Sequence, residues 1–191
     1  MGKCKTMNIF ILDEDPVIAA QLQCDKHVVK MIVESAQMLS TTHRMLDGIK
    51  IKAPSKSGKT MVNQYILPNH PYENVIYKAV HFNHPCSVWT RESLENYKWH
   101  YRHFVALCDE FTYRYNKVHL SDQLLRNVLK TPPKNIPQKS MTQFALAMES
   151  NPECMFPEDA VKSYRMFYQT KQKRFLMNWT KRSIPNWFKS L

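Results

Sequence analysis

CDKHVVKMIVESAQML, residues 24–39, is the stretch that decides the fold class. Val28, Ile32, Ala36 and Leu39 recur at helical spacing and form one apolar face, the natural core face of an amphipathic helix. His27 and Glu34 stand seven residues apart, so they lie about 20° apart around the helix axis. Met31 and Met38 share this second stripe, roughly opposite the first. The stripe is expected to face away from the main core, towards water or towards a cleft. A carboxylate in a cleft can hold a developing cation or move a proton, so Glu34 is the acid/base candidate, with His27 beside it and Lys30 between them.

Upstream, MNIFIL (7–12) reads as a strand or an extended lead-in, and DEDP supplies a helix start with Asp15 as N-cap and Pro16 at the first helical position. The helix that follows is expected to break near Cys24–Asp25 and run to about Leu46. Residues 47–71 read as a long loop centred on KIKAPSKSGKT. Its SGKT resembles the end of a P-loop, but Ala53 stands where the first glycine belongs, so a basic loop able to touch phosphate is the better reading. Residues 69–85 suggest a short helix between His-Pro turns. From Ser87 to Asn116 one long helix is expected, because Tyr97, Tyr101, Phe104, Cys108, Phe111 and Tyr115 repeat on one face. That stripe is read as core. Ser121 caps a short helix to Leu129, the proline-rich 131–157 wraps the surface, and 157–179 is a third long helix with acids in its first turn. The expectation is a mainly α, compact single domain over 1–191: three long helices, short helices and long wrapping loops. Residues 1–6 read as a possible N-terminal extension, with Met7 an alternative start, and 47–71 and 131–157 as insertions.

The 191 residues carry a net charge of +11, which favours a polyanionic partner. Three glycines argue against a sandwich, a barrel or a dinucleotide-binding unit, all of which need glycine at turns. Cys4, Cys24, Cys86, Cys108 and Cys154 are odd in number and scattered, and read as reduced thiols of a cytoplasmic protein. No apolar run is long enough for a signal peptide or a membrane span. From residue 158 onward eight Lys/Arg stand against two acids, interleaved with Trp179, Trp187 and Phe188. Cations for phosphates and aromatic faces for bases are what nucleic-acid binding requires, although a solvated basic helix with inward aromatics fits the same pattern. His81/His84 and His100/His103 are each three apart, but no His/Cys/carboxylate set has metal-ligand spacing, so neither a metal nor another cofactor is expected. No serine or cysteine nucleophile has a local signature.

DKHVVKMIVE (25–34) resembles the first helix of the phage pyrimidine-dimer DNA glycosylases of the endonuclease V type, in which the catalytic Glu follows a His by seven residues. The stretch from Trp89 through LCDEFTYRYNK (107–117) is similar to a later helix of that family, and Trp187-Phe188-Lys189 to its aromatic tail. CDKHVVKMI with HPxxxWxRES is also similar to proteins common in tailed-phage genomes. The resemblance implies an enzyme that bends duplex DNA, extrudes a nucleotide and acts on its base. It implies Glu34 as stabiliser of the sugar cation and proton-transfer group. The family's nucleophile is an N-terminal α-amine, which removal of Met1 would place on Gly2. Where the family has Arg beside its Glu, this chain has Val33 and Gln37. Lys30, Arg44 and Arg91 are the candidates to supply that charge, and His84, Trp89, Lys181, Arg182, Trp187 and Phe188 complete the expected nucleic-acid contacts. The expected partner is double-stranded DNA, bound by a monomer that does not enter membranes. Two other readings stay open: a transferase that modifies a pyrimidine base on the same scaffold, and a nucleic-acid-binding protein without chemistry.

Overall fold

The structure, a computed structural model, describes residues 7–55 and 57–189. It is mainly α. Helix α1 (Pro16–Gln21) starts as expected: Asp15 Oδ1 accepts from the amides of Val17 and Ile18, and Pro16 occupies the first turn. After a break at Leu22–Cys24, α2 (Asp25–Asp47) runs for 23 residues. Val28, Ile32, Ala36 and Leu39 are fully buried, as the apolar face requires. The opposite stripe is buried too. Met31 and Met38 have no exposure, and His27 and Glu34 only 5% and 9%. The reason is the lead-in segment Met7–Leu12, which forms no strand but lies buried in extended and turn conformations against α2.

The expected loop at 47–71 contains an antiparallel hairpin, β1 (Ile49–Pro54) paired with β2 (Met61–Ile66), and SGKT lies in and just after its turn. The alternation IKIKAP, with β-branched and polar residues exchanging faces, explains it. A Cβ on Gly48 at its root would run into the carbonyls of Arg44 and Ile66. Residues 69–84 form turns rather than a helix. The long helix expected from Ser87 is two: α3 (Pro85–Glu92), N-capped by His84, and α4 (Leu94–Tyr115). They part at Ser93, whose backbone is extended and whose hydroxyl accepts from the Asn96 amide at 3.0 Å. Asn116 in the left-handed region ends α4. On α4, Tyr97, Phe104 and Cys108 are fully buried, with Tyr101 and Phe111 packed against them.

Helix α5 (Leu120–Leu129) is N-capped by His119, two residues earlier than the expected Ser121. Residues 131–157 wrap the surface with a single 3-10 turn at Pro152–Cys154, pinned where Asp47 accepts from the amides of Lys134 and Asn135. The last expected helix is shorter than its sequence suggests. Helix α6 (Ala160–Gln169) passes into a 3-10 turn at Thr170–Lys173, and the rest is irregular. Tertiary bonds win over propensity here. The Trp179 indole donates to Leu22 O at 2.9 Å, and Asp25 N donates to Asn178 O at 2.8 Å, which a straight helix could not reach. Helix α2 packs on α3, α4 and α5, and α4 packs on α1, around one continuous core. Among the described residues no helix is long and apolar enough to cross a membrane, and Cys24, Cys86, Cys108 and Cys154 are buried free thiols.

Candidate active site beside a basic aromatic pocket

At the start of α2, His27 is held by a hydroxyl from α6. Tyr168 Oη accepts from the Cys24 amide at 2.8 Å and is hydrogen-bonded to His27 Nδ1, also at 2.8 Å, with Cys24 Sγ 3.6 Å from the same nitrogen. The ring packs between Phe10, with centroids 4.7 Å apart, and the edge of Phe175 at 5.3 Å. Burial, with the nearby Lys30 and Lys171 cations, pushes the imidazole pKa down to about 3. At neutral pH this is an uncharged imidazole.

Two turns on, Glu34 Oε2 accepts from the Asn8 amide at 3.0 Å, and Oε1 pairs with Lys30 Nζ at 2.8 Å. Asn8 is the node of the lead-in segment. Its side-chain oxygen accepts from the amides of Ile9 and Phe10, and its amide group donates to Ala147 O in the wrapping segment. This clamp holds Phe10 at φ 57°, a left-handed conformation that a bulky side chain adopts only under constraint.

A pocket of about 430 Å³ opens over His27 and Asn8; Glu34 is not in its lining and stands just behind Asn8 and Lys30, its two partners. Its walls are Phe10, Phe167 and Phe175, and four cations line it: Lys26 and Lys30 from α2, Lys171 and Arg174 from the turn after α6. Lys171 Nζ stands 3.3 Å from the centre of the Phe167 ring, and Lys26 Nζ 4.8 Å from that of Phe175. Among the described residues only Lys30 of these four has a carboxylate partner. Burial, then Arg174 and Lys30, push Lys171 down to about 8. Like charges crowded over aromatic faces with so little counter-charge are the composition that an anion-binding pocket requires.

That value gives a pH prediction. The protonated Lys171 is the anion-binding form, so the affinity of the pocket for sulfate should begin to fall as pH rises through about 8. Lys171→Arg should carry the binding to higher pH. Sulfate titrations by calorimetry from pH 6.5 to 9.5 check this, and equal pH profiles for the two proteins would remove Lys171 from the pocket's chemistry.

Of the residues expected from sequence, His27, Lys30 and Glu34 come together. The others do not join them, and Gly2 lies outside the described residues. Arg44 is an interior residue, 3% exposed, with its donors spent on backbone carbonyls and Glu73. Trp89, 2% exposed, packs on Trp99 and Phe144 in the core. Arg44 lines a cleft beside the hairpin but has its donors engaged, and Trp89 is closed into the core, so neither is free to make the DNA contact expected of it. Arg91 donates to Phe82 O at 2.6 Å, and His84 caps α3 by accepting from the Cys86 amide. Arg182 pairs with both oxygens of Glu110, and Lys181 donates to Tyr113 O. Trp187 and Phe188 are half-buried, Trp187 beside Tyr168 and Phe188 against Trp179. The tail thus closes over the end of α6, and its cations are partly neutralised.

Sequence reading missed Asn8, Phe10, Lys26, Phe167, Lys171, Arg174 and Phe175. Lys26 and Lys30 flank His27 one turn apart, a signal that was there to be read. Nothing local announces that residues 8–10 and 167–175 meet them. Among the described residues, no three His, Cys, Asp or Glu side chains converge as metal ligands do. Compared with family models, curated proteins and solved structures, the chain matches none.

Proposed function

We propose that this protein is a DNA enzyme that draws a pyrimidine nucleotide out of the duplex into the pocket over His27, and that its simplest reaction is excision of the base. The observation that carries the reading is the convergence of four cations and three phenylalanines on a neutral, hydrogen-bonded imidazole. The cations suit the phosphates that flank an extruded nucleotide, the rings suit its base, and the neutral His27 imidazole offers a hydrogen-bonding edge to the base. In excision the C1′–N bond breaks, the bonding electrons leave with the base, and the sugar becomes cationic. Glu34, whose carboxylate lies between Lys30 and the Asn8 amide, is the anion assigned to that sugar. Extrusion of the nucleotide would have to draw Lys30 onto phosphate and free Oε1 for it. Burial lowers the pKa of the Lys171 ammonium to about 8, so part of it is free amine near neutral pH. Its attack on C1′ as the base leaves, with loss of a proton from nitrogen and opening of the C1′–O4′ bond, would leave an imine that borohydride reduces.

The test uses the full chain and UV-irradiated duplex. Base release, nicking and a borohydride-trapped complex are the expected results, with Glu34→Gln lowering base release by about 10²-fold while the protein stays folded. Full release by Glu34→Gln would remove the role given to that residue. A mass gain on DNA nucleosides without strand cleavage would replace excision by base modification. Salt-steep binding with no covalent change of any kind would leave a binding protein only.

A further inference from the structure

The β1–β2 hairpin is the part of the fold that the pocket does not use. Residues 48–72 contain Lys50, Lys52, Lys56 and Lys59 and no Asp or Glu. Lys50, Lys52 and Lys59 are exposed, and among the described residues none of the three forms an ion pair. The register pairs Lys50 with Tyr65, Lys52 with Asn63 and Pro54 with Met61, so both lysines stand on one face with Asn63 and Met61. A hairpin this basic, with no acid to neutralise it, repels a second copy of itself, and lysines on a strand edge discourage strand addition. What it complements is a line of phosphates.

Its position matters as much as its charge. The hairpin leaves α2 at Gly48, and the pocket opens at Lys26–Lys30, so the two lie at opposite ends of a helix about 30 Å long between them. His27, Glu34 and Thr41 follow one another at sevens and share one stripe of that helix. Thr41 Oγ1 exchanges hydrogen bonds with Val80 at 3.3 and 3.1 Å, so the chain that returns from the hairpin lies on the same stripe as the pocket. A DNA duplex presents the same face of its backbone once per turn, every 34–36 Å or so. A two-stranded ribbon is also of a size to enter the major groove.

We propose that the β1–β2 hairpin is a duplex-gripping arm, laying Lys50, Lys52 and Lys59 on DNA phosphates about one helical turn from the nucleotide held at His27. The inference rests on the pocket being a nucleotide site in duplex DNA. It adds a second contact that fixes the direction of the duplex along α2.

The experiment compares the full chain with a Lys50→Gln/Lys52→Gln/Lys59→Gln variant and a triple Lys→Arg variant, on a 24-base-pair duplex and an 8-base-pair duplex (about two turns and less than one). Affinity is measured against salt concentration. Three lost phosphate contacts should make the log–log salt slope shallower by about 2.7 on the long duplex. The Arg variant should keep the parent slope, and on the short duplex all three proteins should agree. Sulfate binding to the pocket should be unchanged throughout, which shows that the fold is intact. Equal slopes for parent and Gln variant on the long duplex would overturn the arm and leave the pocket reading standing. A parent that binds single strands but no duplex would overturn both. Loss of duplex binding by Lys171→Ala, with the Gln variant unaffected, would likewise locate all binding at the pocket and overturn the arm alone.

Discussion

Lowering the pH from 7 to 5 should remove a large part of this protein's stability. His27, His43, His100 and His103 are buried and uncharged. Burial is the main cause in each case, and it holds His27 down at about 3 and His43 and His103 at about 4, with His100 also well below the ordinary imidazole range. The hydrogen bonds agree. Tyr97 Oη donates to Leu129 O and so accepts from His43 Nε2–H. His103 donates from Nδ1 to Pro16 O, and its Nε2 faces the Gln23 amide donor. His100 donates to Thr90 Oγ1, which itself donates to Cys86 O, and its buried Nε2 has no partner. A second proton on His103 meets a donor, and one on His100 meets no acceptor at all.

The sign follows from the folded values lying below the unfolded one. Above about 6.5 both states are neutral and stability is complete. As pH falls below that, the unfolded chain gains protons that the folded chain refuses, so stability is lost until the folded values are reached. At pH 5 the loss is about 2 kcal/mol for each of the three rings with folded values of about 3 to 4, roughly 6 kcal/mol together, and His100 adds to it. A domain of this kind has only about 5–15 kcal/mol in total. Urea unfolding at pH 7, 6 and 5 checks this. A free energy that stays level across that range would mean that the rings are not held neutral.

Arg44→Ala should be the most damaging single substitution for the fold, at about 3–5 kcal/mol. The side chain spends Nε on Tyr77 O at 2.7 Å and Nη1 on Tyr65 O and Glu73 Oε2. Nη2 donates to Glu73 O and Ile76 O. Truncation leaves four carbonyls and a carboxylate without this donor; Ile76 O is buried, while Glu73 keeps some access to water from the cleft beside the hairpin. The same bonds tie the end of β2 and the 73–77 turns to α2, so the hairpin root should loosen with them. Arg44→Lys should recover only part of the loss, because one ammonium cannot span five acceptors. Thermal melts give the magnitude, and amide exchange over 61–77 shows whether the loss is local. A change under 1 kcal/mol for Arg44→Ala would mean that these bonds are worth no more than water's.

Helices α1, α2 and α5 were legible because their signals are local. Asp15 and Pro16 start α1 within one turn, and the apolar spacing of Val28, Ile32, Ala36 and Leu39 fixes which side of α2 faces the core. The aromatic face of α4 was legible for the same reason, although the break at Ser93 was hidden inside a pattern that reads as helical on both sides. The end of α6 at Gln169 was not legible, since residues 170–179 have helical composition and are turned aside by bonds to Leu22 and Asp25.

The candidate site divides the same way. That His27, Lys30 and Glu34 share one side of a helix follows from the helical period alone, because all three stand on one element. That this side is covered by Asn8 and Phe10, that cations from beyond α6 complete a pocket there, and that the side chains of Arg44 and Trp89 are spent on interior partners all depend on contacts between distant segments. An arginine or a tryptophan carries the same chemistry in the core as on a surface. Which role it takes depends on whether carbonyls, a carboxylate or another ring arrive from elsewhere in the chain, and the partners here lie from 10 to more than 50 residues away, beyond the reach of any local pattern.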